Sequence, residues 1–503
     1  MKLLFYLVLL GFTFYNVFLS SALVRSGEVN FFNDVARDFL LFQELDVKKI
    51  VLIGARSSTN GLFHGSLWSY INYPFYLLGN GDPVVVAWFW IGLEIIFLFT
   101  SFYMVKKLFG TLAAFAYVLL ISIKMAPHMD GIFHAEATFF FIPMFFFTIC
   151  MYIKSKKNLY LVFHLLALAV LIQLEVGIGI QFFILSSLII FSFIFKNKLW
   201  KHLFSFSLMP FLLSNFIIFD LRHDLRMAKA LIDTGKASKF FAPLGSWLGN
   251  RINNAISLQL FEGQSPISNL FIIAVFILVM ALTTLYIRKE NKYRHIYFLF
   301  IFYYFGYFIM SFFNKGILLF HYIYLLMPLT TLWLVSFLKG KYKILFLLLI
   351  GFLYTSNLQF SKSDINVHRE NSMNNYNSWK ALSLIANDVS EREKGKEFGY
   401  FVFAPDALAY QPRYAMIYNF KKNHSMAFEY TKKSTTYIIA APPPANNPYM
   451  TYVWWSKVPV RISSEPVKVK KFANGFTIII YNLSAQEQKI SHDKSIELGI
   501  HFR

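Results

Sequence analysis

Asp34, Arg37 and Asp38 fall within about one helical turn of each other in FFNDVARDF, a few residues beyond an apolar run that starts at the N-terminus. These types suit proton transfer from a hydroxyl, with Asp34 as general base and Arg37 available to an anionic head group or to Asp38. They equally suit an acidic first turn favoured by the helix dipole, with a solvated i to i+3 ion pair. A second set is basic: Arg222, His223 and Arg226 in FDLRHDLR, joined by Arg56 and His321. By themselves they read as a snorkelling juxtamembrane cluster, although basic residues on an outer side run against the general pattern. A third set, His128, Asp130, His134 and Glu136 in KMAPHMDGIFHAEATF, has the ligand types of a divalent cation. His134 and Glu136 are two apart, which puts them on different sides of a helix, so the set chelates only from an irregular loop. Asp130 and Glu136 are its preferred second acids. His64 stands with the substrate-binding candidates, in a turn-rich loop that leads into Trp68, Tyr70, Tyr73 and Tyr76. Those rings suit interfacial anchoring and would also stack on a sugar.

The elements that must position these groups are membrane spans. Of 503 residues, 56% are hydrophobic, 19% aromatic and 15% charged, with a mean hydropathy of +0.49, a balance that repeated spans need and a single soluble core does not. Apolar runs near the ~20 residues a span requires begin near Leu3, Val84, Phe109, Phe139, Leu159, Gly177, Leu203, Leu270, Ile296, Gly316 and Ile344, which predicts about eleven transmembrane helices. The first run has Lys2 in front and small residues near Ser21 and Ala22, as a cleaved leader has, and is read here as a retained span.

The links between runs alternate in charge. One set holds Lys106 and Lys107; Lys154, Lys156 and Lys157; Lys196, Lys198 and Lys201; Arg288, Lys289, Lys292 and Arg294; Lys339, Lys341 and Lys343. The short links of the other set hold little beyond Lys124 and Lys315. By the positive-inside rule the N-terminus is cytoplasmic and the C-terminal region external. The formal net charge of +21 therefore reads as topology rather than as a nucleic-acid stripe. The single cysteine, Cys150, lies in an apolar run and excludes a disulfide framework. The expected organisation is a transmembrane domain over residues 1–359, with external loops at 25–83, 125–137 and 220–269, and an external soluble α/β domain over 360–503. In the latter, NNYNSWKALSLIANDVSEREKG has helical spacing, while YFVFAP, TTYIIAAPPP and VKVKKFANGFTIIIYNL read as strands.

The loop motifs carry a resemblance. D-x-A-R-D from Asp34, L-I-G-x-R-S-S-x-x-G-x-F-H-G-S-L from Leu52 and Y-P-F-Y-L-L-x-x-G-D-P from Tyr73 resemble the first external loop of bacterial integral-membrane glycosyltransferases of family thirty-nine, related to protein mannosyltransferases and the lipid A aminoarabinose transferase. LIQLEVGIGIQFFIL and PFLLSNFIIFDLRHDLRMAKAL are similar to two later family passages, so the likeness runs from about Phe31 to Leu231 and continues beyond in layout. It implies the GT-C fold and transfer of a sugar from a polyprenyl-phosphate donor, with inversion by one displacement rather than the two carboxylates of a retaining glycosidase. It also implies that Asp34 is the base that activates the acceptor. Some family members use a divalent metal ion and others do not, and both cases stay open. Three positions depart from the family: Ser66 replaces a common proline, Glu175 a common histidine, and HYIYLLMP from His321 an arginine-tyrosine start.

The reading is an integral enzyme of the plasma (inner) membrane with lipid, polysaccharide or protein acceptors. A lipid-linked-sugar flippase or transporter is the alternative from another class, weakened because the polar residues gather in the expected outer loops rather than at the midplane. An oligosaccharide polymerase or ligase is a third reading, separated by the D-x-A-R-D loop and the C-terminal domain.

Overall fold

The computed structural model describes residues 2–57, 59–236, 243–262, 269–288, 293–313, 316, 318–405, 408–444, 446–448 and 451–497. Ser58 of the loop motif, parts of the 220–269 loop and the topology signals Lys289, Lys292 and Lys315 lie outside the described residues.

The chain is mostly helical. Among the described residues, eight helices are long and apolar enough to cross a membrane: Leu3–Ser20, Pro83–Phe109, Thr111–His128, His134–Ser155, Val176–Asn197, Asn269–Arg288, Phe320–Lys339 and Lys343–Glu370. A ninth forms if Trp200–Leu212 and Ser214–Arg222, bent by 53° at their junction, are taken as one broken span. The other two of the eleven expected runs are helical as well. Asn158–Leu174 is apolar but has only 17 residues, and Arg294–Ser311 spreads polar Tyr297, Tyr303, Tyr304 and Tyr307 along its 18 residues.

The chain divides into two compact units. The first comprises Met1–Ser21, Ile50–Ile71 and Phe89–Asp364, and the second Ala22–Lys49, Asn72–Trp88 and Ile365–Arg503. In the first, buried polar groups tie helices together where lipid supplies no partners. His164 Nε2 lies 3.0 Å from Ser186 Oγ, which lies 3.0 Å from Tyr303 Oη. Ser20 Oγ donates to the buried Glu94 Oε1 at 3.0 Å.

The second unit is built on a five-stranded sheet of β3 (Glu397–Phe403), β4 (Met426–Glu429), β5 (Thr435–Ala440), β6 (Lys468–Lys471) and β7 (Thr477–Asn482), ordered β4-β3-β5-β7-β6. β3 pairs in parallel with both β4 and β5, and β7 pairs antiparallel with β5 and β6. Phe401, Ile438, Ile479 and Trp455 fill a core against it. The helix Trp379–Arg392 starts where Ser378 accepts from the Ala381 N–H.

The second unit gathers segments from both ends of the chain. The helix Asn33–Lys48 and the preceding Phe31 belong to the second unit, where Phe31 packs on Trp379 and Tyr414 at ring distances of 4.8 and 5.6 Å, and Phe39 on Tyr414 at 5.3 Å. Phe31, Val35, Phe39 and Phe42 are fully buried. Protein aromatics thus cover the apolar side of this helix, while Phe32 is half-buried. Asn33 is the first helical residue, next to the cap Phe32.

Candidate active site

In the second unit, the first turns of the Asn33–Lys48 helix carry Asp34, Arg37 and Asp38, with Asp38 on the buried side beside Phe39 and Asp34 on the accessible side. Arg37 Nη1 lies 2.8 Å from Asp34 Oδ1, and its Nε lies 3.7 Å from Asp38 Oδ1. The three side chains differ in access: Asp34 is 46% exposed, Arg37 12% and Asp38 2%. Asp34 is thus the carboxylate a hydroxyl can approach, and Arg37 is a shared cation that fixes its orientation. Lower on the helix, Asp46 accepts from the Tyr73 hydroxyl at 2.7 Å, and that hydrogen bond, with burial and the adjacent charge, pushes the phenol up to about 12. Tyr73 is therefore tied to a carboxylate.

In the first unit, strands β1 (Ile53–Arg56) and β2 (Phe63–Gly65) form a two-stranded antiparallel hairpin that carries Arg56 and His64. Gly65 is required by a close approach: a Cβ there would stand 1.8 Å from Gln173 Oε1 and 2.7 Å from the Gln173 carbonyl oxygen. Gln173 in turn donates to Asn215 Oδ1 at 2.6 Å and to the Leu212 carbonyl at 3.0 Å, while Asn215 donates to the Leu52 carbonyl at 2.8 Å. This clamp links the hairpin to the break between Asn158–Leu174 and Val176–Asn197 and to the bent pair.

His64 is buried on β2. Its Nδ1 lies 3.6 Å from Glu175 Oε2, the same oxygen lies 3.8 Å from His134 Nε2, and the two imidazole centres are 4.4 Å apart. Glu175 occupies an extended residue (φ −144°, ψ 99°) that ends one helix and begins the next. Trp68 covers this group, with its ring 6.5 Å from that of His134, and stacks edge-on against Trp90 at 4.9 Å. Beside it, an apolar groove of about 220 Å³ runs past Trp68, Phe97, Phe140, Met144 and Leu174.

The basic candidates lie at the end of the bent pair. Arg222 closes Ser214–Arg222 and Arg226 opens Arg226–Lys236, both exposed, with the Arg226 guanidinium 5.7 Å from the centre of the Phe63 ring. Asp220 caps the second helix by accepting from the Met227 and Ala228 N–H groups at 2.7 and 3.0 Å. His223 is turned inward, its Nδ1 2.7 Å from the Phe219 carbonyl and its ring stacked on Phe219 at 4.2 Å, so Arg222 and Arg226 are the pair available to an anion. Arg56 is exposed and donates to Asn60 at 3.0 Å. His321, in Phe320–Tyr324, packs edge-on against Phe133 at 5.5 Å.

The expected cation set of His128, Asp130, His134 and Glu136 is not brought together as one chelate; among the described residues the cluster with metal-ligand geometry is His64, His134 and Glu175. His128 turns to Glu262, with Nε2 2.9 Å from Oε2, and Glu262 also receives its neighbourhood from Asn357, whose Oδ1 accepts from the Glu262 N–H at 2.9 Å. Lys124 donates to the Gln259 carbonyl. Asp130 is buried and Glu136 partly so, the latter's Oε2 resting 3.2 Å from where a Cβ on Gly131 would stand. Sequence reasoning noticed Glu175 only as a departure and did not single out Glu262; a carboxylate interrupting two apolar runs was the available signal for the first.

No protein-family profile matches the sequence, and no curated protein matches it. The fold is nevertheless shared with solved structures. ArnT from Cupriavidus metallidurans bound to undecaprenyl phosphate superposes with a TM-score of 0.56 at 11% identity over 95% of this chain and 98% of that one. The same protein in its apo state gives 0.55 at 10% identity over 96% and 99%. The chain shares the fold of these structures, and its long apolar helices are those of a multi-pass membrane protein.

Proposed function

We propose that this protein is a plasma-membrane glycosyltransferase that moves a sugar from a polyprenyl-phosphate donor to an acceptor hydroxyl on the outer face. In this reading the N-terminus is cytoplasmic and the sheet-containing unit external. The observation that carries the proposal is the fold shared along almost the whole chain with a structure bound to undecaprenyl phosphate. The apolar groove beside Trp68 supports it, since a polyprenyl tail needs an apolar surface among helices. The exposed Arg222 and Arg226, at the end of a bent apolar pair, supply cations of the kind a lipid phosphate recruits.

The chemistry is one displacement. The acceptor oxygen bonds to the anomeric carbon as the bond from that carbon to the phosphate oxygen breaks, with inversion. Asp34, oriented by Arg37, takes the hydroxyl proton, and the polyprenyl phosphate leaves as cations stabilise its growing charge. The test is the purified protein in lipid vesicles with a panel of radiolabelled polyprenyl-phosphate sugars and cell-envelope extract. Label in the extract supports the reading, and no transfer from any donor by folded protein refutes it.

A further inference from the structure

We propose that His64, His134 and Glu175 form a binding site for one divalent transition-metal ion of the zinc type, which pins the β1–β2 hairpin to the helical part of its unit. The three residues come from three separate elements: a strand, the short helix His134–Ala137, and the break between Asn158–Leu174 and Val176–Asn197. All three are buried, and one ligand atom from each lies within 4.8 Å of the others. A single oxygen, Glu175 Oε2, faces both imidazole nitrogens at 3.6 and 3.8 Å. Two ligands bound at ~2.0–2.1 Å in a tetrahedral arrangement stand about 3.4 Å apart, so binding one ion draws each imidazole a few tenths of an ångström toward Glu175 Oε2 and brings the two imidazole nitrogens, now within 4.8 Å, closer together.

The donor set selects the metal. Two imidazoles and one carboxylate suit zinc and its neighbours, whereas magnesium and calcium prefer all-oxygen sites. Three protein ligands leave one tetrahedral position for water or an anion. Local structure favours the arrangement. The extended backbone at Glu175 sets its side chain at the break between the two helices. Trp68 and Phe133 wall the His134 ring, at 6.5 and 4.5 Å between centres. The hairpin has few backbone pairs of its own, and a metal would fix it where Gly65 meets Gln173. The proposal does not depend on sugar transfer.

The test measures metal directly on the full chain in detergent or lipid. After chelation and reloading with zinc, elemental analysis is expected to find one equivalent per chain, and cobalt substitution is expected to give the intense visible bands of a four-coordinate N/O site. Glu175→Gln and the pair His64→Ala/His134→Ala are expected to lower zinc affinity by roughly 100-fold, since each removes part of a three-ligand set. Folded wild-type protein that takes up no zinc and shows no such cobalt bands would overturn the proposal, as would variants that hold zinc as tightly as wild type. The cobalt spectrum of the wild type decides the matter even if a variant fails to fold.

Discussion

Arg37 Nη1 lies 2.8 Å from Asp34 Oδ1, one helical turn away, while the same guanidinium faces the buried Asp38 at 3.7 Å. One cation between an exposed and a buried carboxylate makes the exposed one a positioned group rather than a freely rotating surface acid. It follows that Arg37→Lys, which keeps the charge but loses the fork geometry, should lower kcat while leaving KM for the acceptor within about twofold. Steady-state kinetics with a working donor would check this, and unchanged kcat would remove Arg37 from the account.

Gly65→Ala should be severe although it adds one methyl group. The new Cβ would meet Gln173, including its backbone carbonyl at 2.7 Å, and backbone cannot swing away as a side chain can. Overpacking of this kind costs about 1–3 kcal/mol. The melting temperature of the purified variant should fall, and an unchanged value would mean the hairpin is not pressed against this helix end.

Phe31→Ala tests the cover over the amphipathic helix. Phe31 is fully buried among Phe39, Trp379 and Tyr414, and truncating such a residue costs about 3–5 kcal/mol. Limited proteolysis should then cut within residues 22–49, where the wild type resists. Equal resistance would show that the stripe is covered by something else.

Glu487 gives a pH dependence with a defined sign. Burial raises its carboxyl, but hydrogen bonds from the side chains and N–H groups of Ser463 and Ser464 outweigh that and hold it down to about 2. Its contribution is therefore present above the ordinary glutamate value and fades as pH falls toward 2. Glu487→Gln should lower the melting temperature of the C-terminal unit at pH 7 and differ much less from wild type at pH 3. A gap that widens on acidification would contradict the sign.

Arg222→Ala and Arg226→Ala remove exposed side chains and should leave folding intact while weakening binding of an undecaprenyl-phosphate donor about tenfold each, or about 1.4 kcal/mol. Unchanged donor affinity in both would move the phosphate elsewhere.

Much of the fold was legible because apolar runs announce helices directly, and the β-branched and aromatic runs of TTYIIA and TIIIYN, bounded by turn residues, announce a sheet. What periodicity does not carry is the identity of the covering surface. Phe32, Val35, Phe39 and Phe42 show an apolar stripe whether lipid or protein lies over it, and the protein aromatics that do so, Trp379 and Tyr414, come from the far end of the chain. The short strand β4 was missed because its four residues alternate between exposed and half-buried. In the site, Asp34, Arg37 and Asp38 were readable as local helix neighbours. The meeting of His64, His134 and Glu175 was not, since three distant elements must fold before it exists, and His128 found Glu262 rather than its own loop.

The central claim rests on Asp34. The direct measurement is transfer of label from the best polyprenyl-phosphate sugar by wild type and by Asp34→Asn, with donor binding measured on both proteins in the same vesicles. The account predicts equal donor binding and loss of transfer by at least about a thousandfold, roughly 4 kcal/mol of barrier. An Asp34→Asn variant that binds donor and still transfers at near wild-type rate would contradict it.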